Sequence, residues 1–287
     1  MRSHNSFNKI WILESLADGE LKTGTRLYEE LFPRIKATHQ QLIVAIEKPA
    51  SREEFVSCLK SILTDIEENK NYPLIHLECH GSEVGLGLSS GEIIEWIEIR
   101  DLLIRINFAC EVNLLVVVAA CKGVYLAKAA TQLDRAPFYA MVGSKTEMTA
   151  GEIQADFTEF YMSFFESLDG NTAIESLNKQ AAMTNRSYYF VGAEVIFFKA
   201  FRYYHQNYCV GKAKRRRLER LVSQALSSRP IRQKGVNWAR KQAKLWFRNE
   251  QEPAFERMKA KFFGITEYPN NAERFTVSYA DIFRSPP

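Results

Sequence analysis

The chain has 287 residues, 46% of them apolar and 25% charged, which suffices for one large domain or one domain with an appendage. Its longest apolar runs stop short of the roughly 18 residues of a membrane span, and residues 1–20 hold no signal-type apolar stretch ahead of Glu14 and Asp18, so neither a span nor export is expected. The net charge of +4 hides an asymmetry: Lys199 to Lys261 carries 18 Lys and Arg against four Glu, leaving the other 224 residues near −10.

Lys9 to Leu16 reads as a first strand, followed by a helical pattern at Leu27, Tyr28, Leu31 and Phe32 that Pro33 ends or kinks. Gln41 to Glu47 is a second strand. Ser51 and Glu54 have capping-box spacing, and Phe55, Leu59, Ile62, Leu63 and Ile66 recur on one helical face. That helix leads to the apolar run Leu74-Ile75-His76-Leu77-Glu78-Cys79, which delivers His80-Gly81. Strand, helix and strand make a βαβ unit, for which a right-handed crossover is expected. A hairpin around Ser89-Ser90-Gly91 and a helix from Ile97 to about Asn107 come next. The β-branched run Leu114 to Ala120 then delivers Cys121-Lys122-Gly123, and Pro137 to Gly143 is a further strand.

Ile153, Phe157, Phe160, Tyr161, Phe164, Phe165 and Leu168 form the cleanest helical face. Thr172 and Glu175 repeat the capping-box spacing, and Tyr188 to Phe198 is strongly apolar. The alternation predicts a three-layer α/β domain over residues 1–208. Residues 209–287 read as a basic, mainly helical region with apolar faces at Leu218, Leu221, Val222, Ala225 and Leu226, at Trp238, Ala239, Ala243 and Trp246, and at Phe255, Met258 and Phe262.

Parallel strands would bring His80 and Cys121 to one sheet edge, where α/β sheets collect their chemistry. A thiol attacks as thiolate, and a nearby imidazole can take its proton and then protonate a leaving amine. The amides of Gly81 and Cys121 are the expected oxyanion donors, since a residue without Cβ lets its N–H approach a substrate. Separately, each residue also suits a structural role: a buried Cys or a turn His. A zinc site from His76, Cys79, His80 and Cys121 is disfavoured, because Cys79 points to the opposite face of its strand. The five cysteines form no paired spacing, which fits a reducing cytoplasm and no disulfide framework.

An apolar strand then His-Gly, and an apolar strand then Ala-Cys, resembles the caspase-fold cysteine peptidases: caspases, separases, metacaspases and bacterial CHAT-domain proteins. Leu77-Glu78-Cys79-His80-Gly81 is similar to the CHAT histidine motif. Ala119-Ala120-Cys121-Lys122-Gly123 approximates the caspase Gln-Ala-Cys-x-Gly, with Ala119 in place of Gln. Val142-Gly143, Asp156, Phe160-Tyr161 and Gly170 echo the elements that follow the cysteine in CHAT domains. The resemblance covers about residues 9–200. It implies a six-stranded, mostly parallel sheet in a caspase-like sandwich, with His80 as general base, Cys121 as nucleophile, a protein or peptide substrate and no cofactor. Family members of this kind in bacteria look like effectors of defence or cell-death systems switched on by a protein partner. Departure from the caspase Gln and Arg pattern removes support for cleavage after Asp. Glu147 or Glu152 would line a pocket for Arg or Lys, or else be solvated or capping residues. No carboxylate cluster suggests calcium.

The basic region lies outside the resemblance. Lys212, Lys214, Arg215, Arg216, Arg217, Arg240, Lys241 and Lys244 form a patch suited to nucleic acid, anionic lipid or an acidic protein, or else a solvated helix face. Two further readings stand beside the peptidase: a non-catalytic caspase-like module that binds through this patch, and another thiol enzyme such as an acyltransferase.

Overall fold

The computed structural model describes residues 7–283. Strand β1 (Lys9–Ser15) leads into helix α1 (Thr23–Arg26), a π-helical stretch at Leu27–Leu31 and α2 (Phe32–Thr38). Pro33 has no N–H to return to the preceding turn, so the helix changes its winding ahead of it and continues. Next come β2 (Ile43–Glu47), α3 (Arg52–Asn69), β3 (Pro73–Gly81), β4 (Gly85–Gly87), β5 (Ile93–Glu95), α4 (Trp96–Ala109), β6 (Leu115–Ala119), α5 (Tyr125–Ala129), β7 (Ala140–Ser144), α6 (Ala150–Ser167), α7 (Gly170–Ala182) and β8 (Tyr188–Gly192).

Six strands lie in the order β2-β1-β3-β6-β7-β8; all neighbours are parallel except β7 and β8, and the β4–β5 hairpin hangs from the end of β3. The chain is therefore α/β with a mostly parallel, mixed sheet. β1 and β3 are buried along almost their whole length, as parallel strands covered on both faces must be. One face packs Ile10, Ile12, Leu74, Val117 and Val142 against α2, α6 and α7 through Phe32, Phe157, Tyr161 and Leu177. α3 and α4 pack together, and α3 also meets β1.

Several local expectations are borne out. Ser51 caps α3 by accepting from the Glu54 N–H, and Phe55, Leu59, Ile62 and Ile66 are its buried stripe. Two differ. α7 starts at Gly170, with Asp169 accepting from the Asn171 N–H, so Thr172 lies inside the helix. A capping box instead opens α6, where Thr149 and Glu152 satisfy each other's backbone N–H groups.

The chain divides into two units, 1–130 with 135–193, and 131–134 with 194–287. The apolar run from Tyr188 splits at this division into β8 and helix α8 (Ala193–Tyr204). The boundary thus falls near 193 rather than 208, because Phe197 and Phe201 belong to the second unit's core. Phe197 lies 5.4 Å from Phe255 and 5.2 Å from Phe262, and Phe201 lies 5.0 Å from Phe255. The second unit continues through α9 (Gly211–Leu226), α10 (Arg229–Lys234), α11 (Val236–Asn249) and α12 (Gln251–Phe262). Leu218 and Val222 are buried on α9, as expected. On α11 the buried stripe is Ala239, half-buried Ala243 and Phe247, a run of i+4 steps; Trp246 lies one residue off it and is 46% exposed.

Phe157 is fully buried and meets His76 and Tyr188 edge-on at 5.4 and 5.3 Å. Phe157→Ala is expected to cost about 3–5 kcal/mol in urea unfolding. Met162→Ala, at a half-exposed position of the same helix, should stay within about 0.5 kcal/mol.

Candidate active site

β3 and β6 pair in parallel with Leu74 opposite Leu115 and Glu78 opposite Ala119. His80 and Cys121 each follow their strand's last paired residue by two, so the register carries them to matching places at the carboxyl edge. The backbones of Gly81 and Cys121 meet there. A Cβ on Gly81 would lie 1.8 Å from the Cys121 carbonyl oxygen and 3.0 Å from the Ala120 Cβ. Glycine is therefore required at 81 by close backbone packing, beside the oxyanion role expected of its amide.

The turn after β6 is equally constrained. Lys122 adopts a left-handed conformation (φ 58°), a local cost of about 1–3 kcal/mol that surrounding contacts must offset. The Val124 N–H donates to the Ser144 carbonyl at 3.0 Å and the Gly123 N–H to the Ala120 carbonyl at 3.2 Å. A Cβ on Gly143 would lie 2.9 Å from backbone atoms of Gly123 and Val124, so this turn sits directly on β7.

Cys121 is half-buried and its thiol is free. The Met148 backbone N–H donates to its Sγ at 3.2 Å, which fixes the side chain from the β7–α6 loop. Behind Met148 stands a buried polar group. Arg186 donates to both carboxylate oxygens of Asp156 at 2.9 and 2.7 Å, and the Tyr188 hydroxyl donates to Asp156 at 2.9 Å and lies 3.0 Å from the Met148 Sδ. Burial pushes the Asp156 carboxyl up, against the opposing pull of Tyr188 and Arg186.

His80 is exposed, and its Nε2 lies 2.7 Å from Glu20 Oε1. Glu20 sits in the loop after β1, and its other oxygen accepts from the Ala17 N–H at 2.6 Å. The His80 hydrogen bond is the largest influence holding the Glu20 carboxyl below its usual range. From β1 the chain goes to β2 on one side, while β3 lies on the other. Glu20 and His80 therefore meet at the carboxyl ends of the two strands where the strand order reverses.

Beneath these ends lies a buried network. His76 Nε2 is 2.7 Å from Glu78 Oε2, its Nδ1 is 2.9 Å from the Tyr161 hydroxyl, and Thr23 donates to Glu78. Glu14, the register neighbour of Glu78, accepts from the N–H and hydroxyl of Thr25 at 2.9 and 2.6 Å. Thr23-Gly24-Thr25 thus anchors the start of α1, and with it the loop that carries Glu20, to buried carboxylates on β1 and β3.

Glu147 is exposed, one residue before Met148. Glu152 is engaged: it is the capping residue of α6 and ion-pairs with Arg186, and the Thr149 N–H above all holds its carboxyl low. Cys79 is buried on the other side of its strand, where burial pushes its thiol far up. Among the described residues, no group of three or more His, Cys, Asp or Glu is placed to hold a metal, and no helix is long and apolar enough to cross a membrane.

In the second unit the basic residues divide by use. Arg217 donates to the Tyr204 hydroxyl at 2.7 Å, and Arg240 binds Glu219 through two nitrogens at 3.2 and 3.1 Å. Lys212, Lys214, Arg215, Arg216, Lys241 and Lys244 are exposed and have no ion-pair partner among the described residues.

Glu20, Met148 and Arg186 were not among the residues that the sequence singled out. No family model matches the chain, and no curated protein matches it in sequence.

Gly81→Ala should lower stability by about 1–3 kcal/mol, since a methyl there meets backbone. Gly87→Ala, whose Cβ would sit at an ordinary 3.5 Å from the His80 Cβ, should stay within about 0.5 kcal/mol. Matching urea unfolding curves for the two variants would mean that the strand ends are not in contact.

Proposed function

We propose that the chain is a caspase-like cysteine endopeptidase in which Cys121 is the nucleophile and His80 the general base. The observation that carries this reading is the β3–β6 register, which brings His80-Gly81 and Cys121 to one sheet edge with Gly81 against the Cys121 carbonyl. Glu20 supports it by occupying His80 Nε2, which leaves Nδ1 of a neutral imidazole as the basic nitrogen. Cys121 Sγ attacks the scissile carbonyl carbon as its proton passes to His80. The oxyanion accepts from the amides of Gly81 and Cys121, and the leaving amine takes the proton from His80. Water then hydrolyses the thioester and frees the thiol. Glu147 is the carboxylate left to favour a basic residue before the cut, because Glu152 is already paired. Activation by a regulatory protein and a place in a bacterial defence or cell-death system belong to the same proposal and rest on the family resemblance.

A second reading, a non-catalytic module that binds nucleic acid, has its own support in the unpaired cations on α9 and α11.

Incubation with a peptide library and mass spectrometry of the cut positions tests the first reading. Wild type should cleave, Cys121→Ala and His80→Ala should not, and Glu20→Gln should lose up to about two orders of magnitude in kcat/KM. Cleavage retained in Cys121→Ala would refute the assignment. An inert wild type whose binding to oligonucleotides falls steeply with salt would favour the second reading.

A further inference from the structure

The second unit contains a cavity of about 880 Å³ whose lining includes Lys214, Lys244 and Arg248. Phe247, half-buried Tyr279, His205 and Glu252 also line it. The size falls in the range of small-molecule sites. The unit's ion pairs, Arg240 with Glu219, Arg257 with Glu250 and Lys261 with Asp134, leave Lys214, Lys244 and Arg248 without a carboxylate partner among the described residues. Three fixed cations face one carboxylate, so the lining carries a surplus of two positive charges before His205 is counted.

Other features agree with an uncompensated positive field. The Lys214 Nζ lies 5.3 Å from the Phe247 ring centroid, held over an aromatic face. The His205 imidazole is kept below its ordinary value, first by burial and then by Lys214. Lys212, Arg215, Arg216 and Lys241 do not line the cavity, so Lys214, Lys244 and Arg248 are its basic residues. Tyr279 is fixed by edge-on contacts with Phe201, Phe255 and Phe283 and offers a set aromatic wall.

We infer that this cavity binds a small phosphomonoester with a planar aromatic body, of the mononucleotide class. Lys214, Lys244 and Arg248 neutralise the phosphate dianion and Tyr279 takes the planar body. The inference stands independently of the peptidase reading.

Calorimetric titration of the full chain with AMP, adenosine, inorganic phosphate and a short single-stranded RNA is the test. AMP should bind saturably, adenosine should not, and inorganic phosphate should bind more weakly than AMP. Lys244→Ala with Arg248→Ala should weaken AMP by at least about tenfold, as loss of charged hydrogen bonds does. Tyr279→Leu should weaken AMP but not phosphate, and Lys241→Ala should change neither. Circular dichroism melts establish that each variant is folded. Absence of saturable AMP binding, AMP binding unchanged by the paired substitution, phosphate binding as tightly as AMP, or binding of RNA alone would each overturn the inference.

Discussion

The contact between Gly81 and the Cys121 carbonyl constrains everything around it. This contact requires that Gly81 lack a Cβ, since a methyl there would lie 1.8 Å from that oxygen. The same packing pushes the next turn onto β7, where Gly123 and Gly143 make a second close approach. Lys122 absorbs the turn with a left-handed backbone, and hydrogen bonds to the loop after β7 hold it there. A strained residue directly after a half-buried thiol, held by its neighbours, is the kind of local cost that functional sites retain.

The buried polar groups beneath the edge also call for a physical account. A buried polar group such as Glu78, in hydrogen-bond contact with His76 and Thr23, gives up hydration to enter the core, and apolar residues of the same volume would often be as stable. What the carboxylates of Glu78 and Glu14 gain is position: they hold Thr23 and Thr25, and so the loop from which Glu20 reaches His80. Asp156 plays a comparable part on the other side. Through Tyr188 it is linked to Met148, whose N–H meets Cys121. Both proposed reacting side chains are therefore held by loops tied to buried charge.

The strands, the α3 cap and the arrival of His80 and Cys121 at one sheet edge were legible in the sequence, because period, capping residues and strand-end position are local signals. Glu20, Met148 and Arg186 were not. They act across loops, where no periodicity marks which residue will fold back. Thr149 and Glu152 have the capping-box spacing too but were not read as a cap, whereas the Thr172–Glu175 spacing was, and there Asp169 takes the capping place. The unit boundary was misplaced for a related reason: the run from Tyr188 is apolar throughout, and only tertiary contacts show that Phe197 and Phe201 serve a different core.

The central claim is that His80 and Cys121 act as one chemical unit. It is tested most directly by the rate at which iodoacetamide alkylates Cys121 at neutral pH, followed by mass spectrometry of its peptide in wild type and His80→Ala. The other thiols interfere little, since Cys79, Cys110 and Cys209 are buried and the Cys58 thiol is pushed up to about 11 by burial and nearby carboxylates. Coupling predicts a fall of about tenfold or more when the imidazole is removed. Equal rates in the two proteins would contradict it.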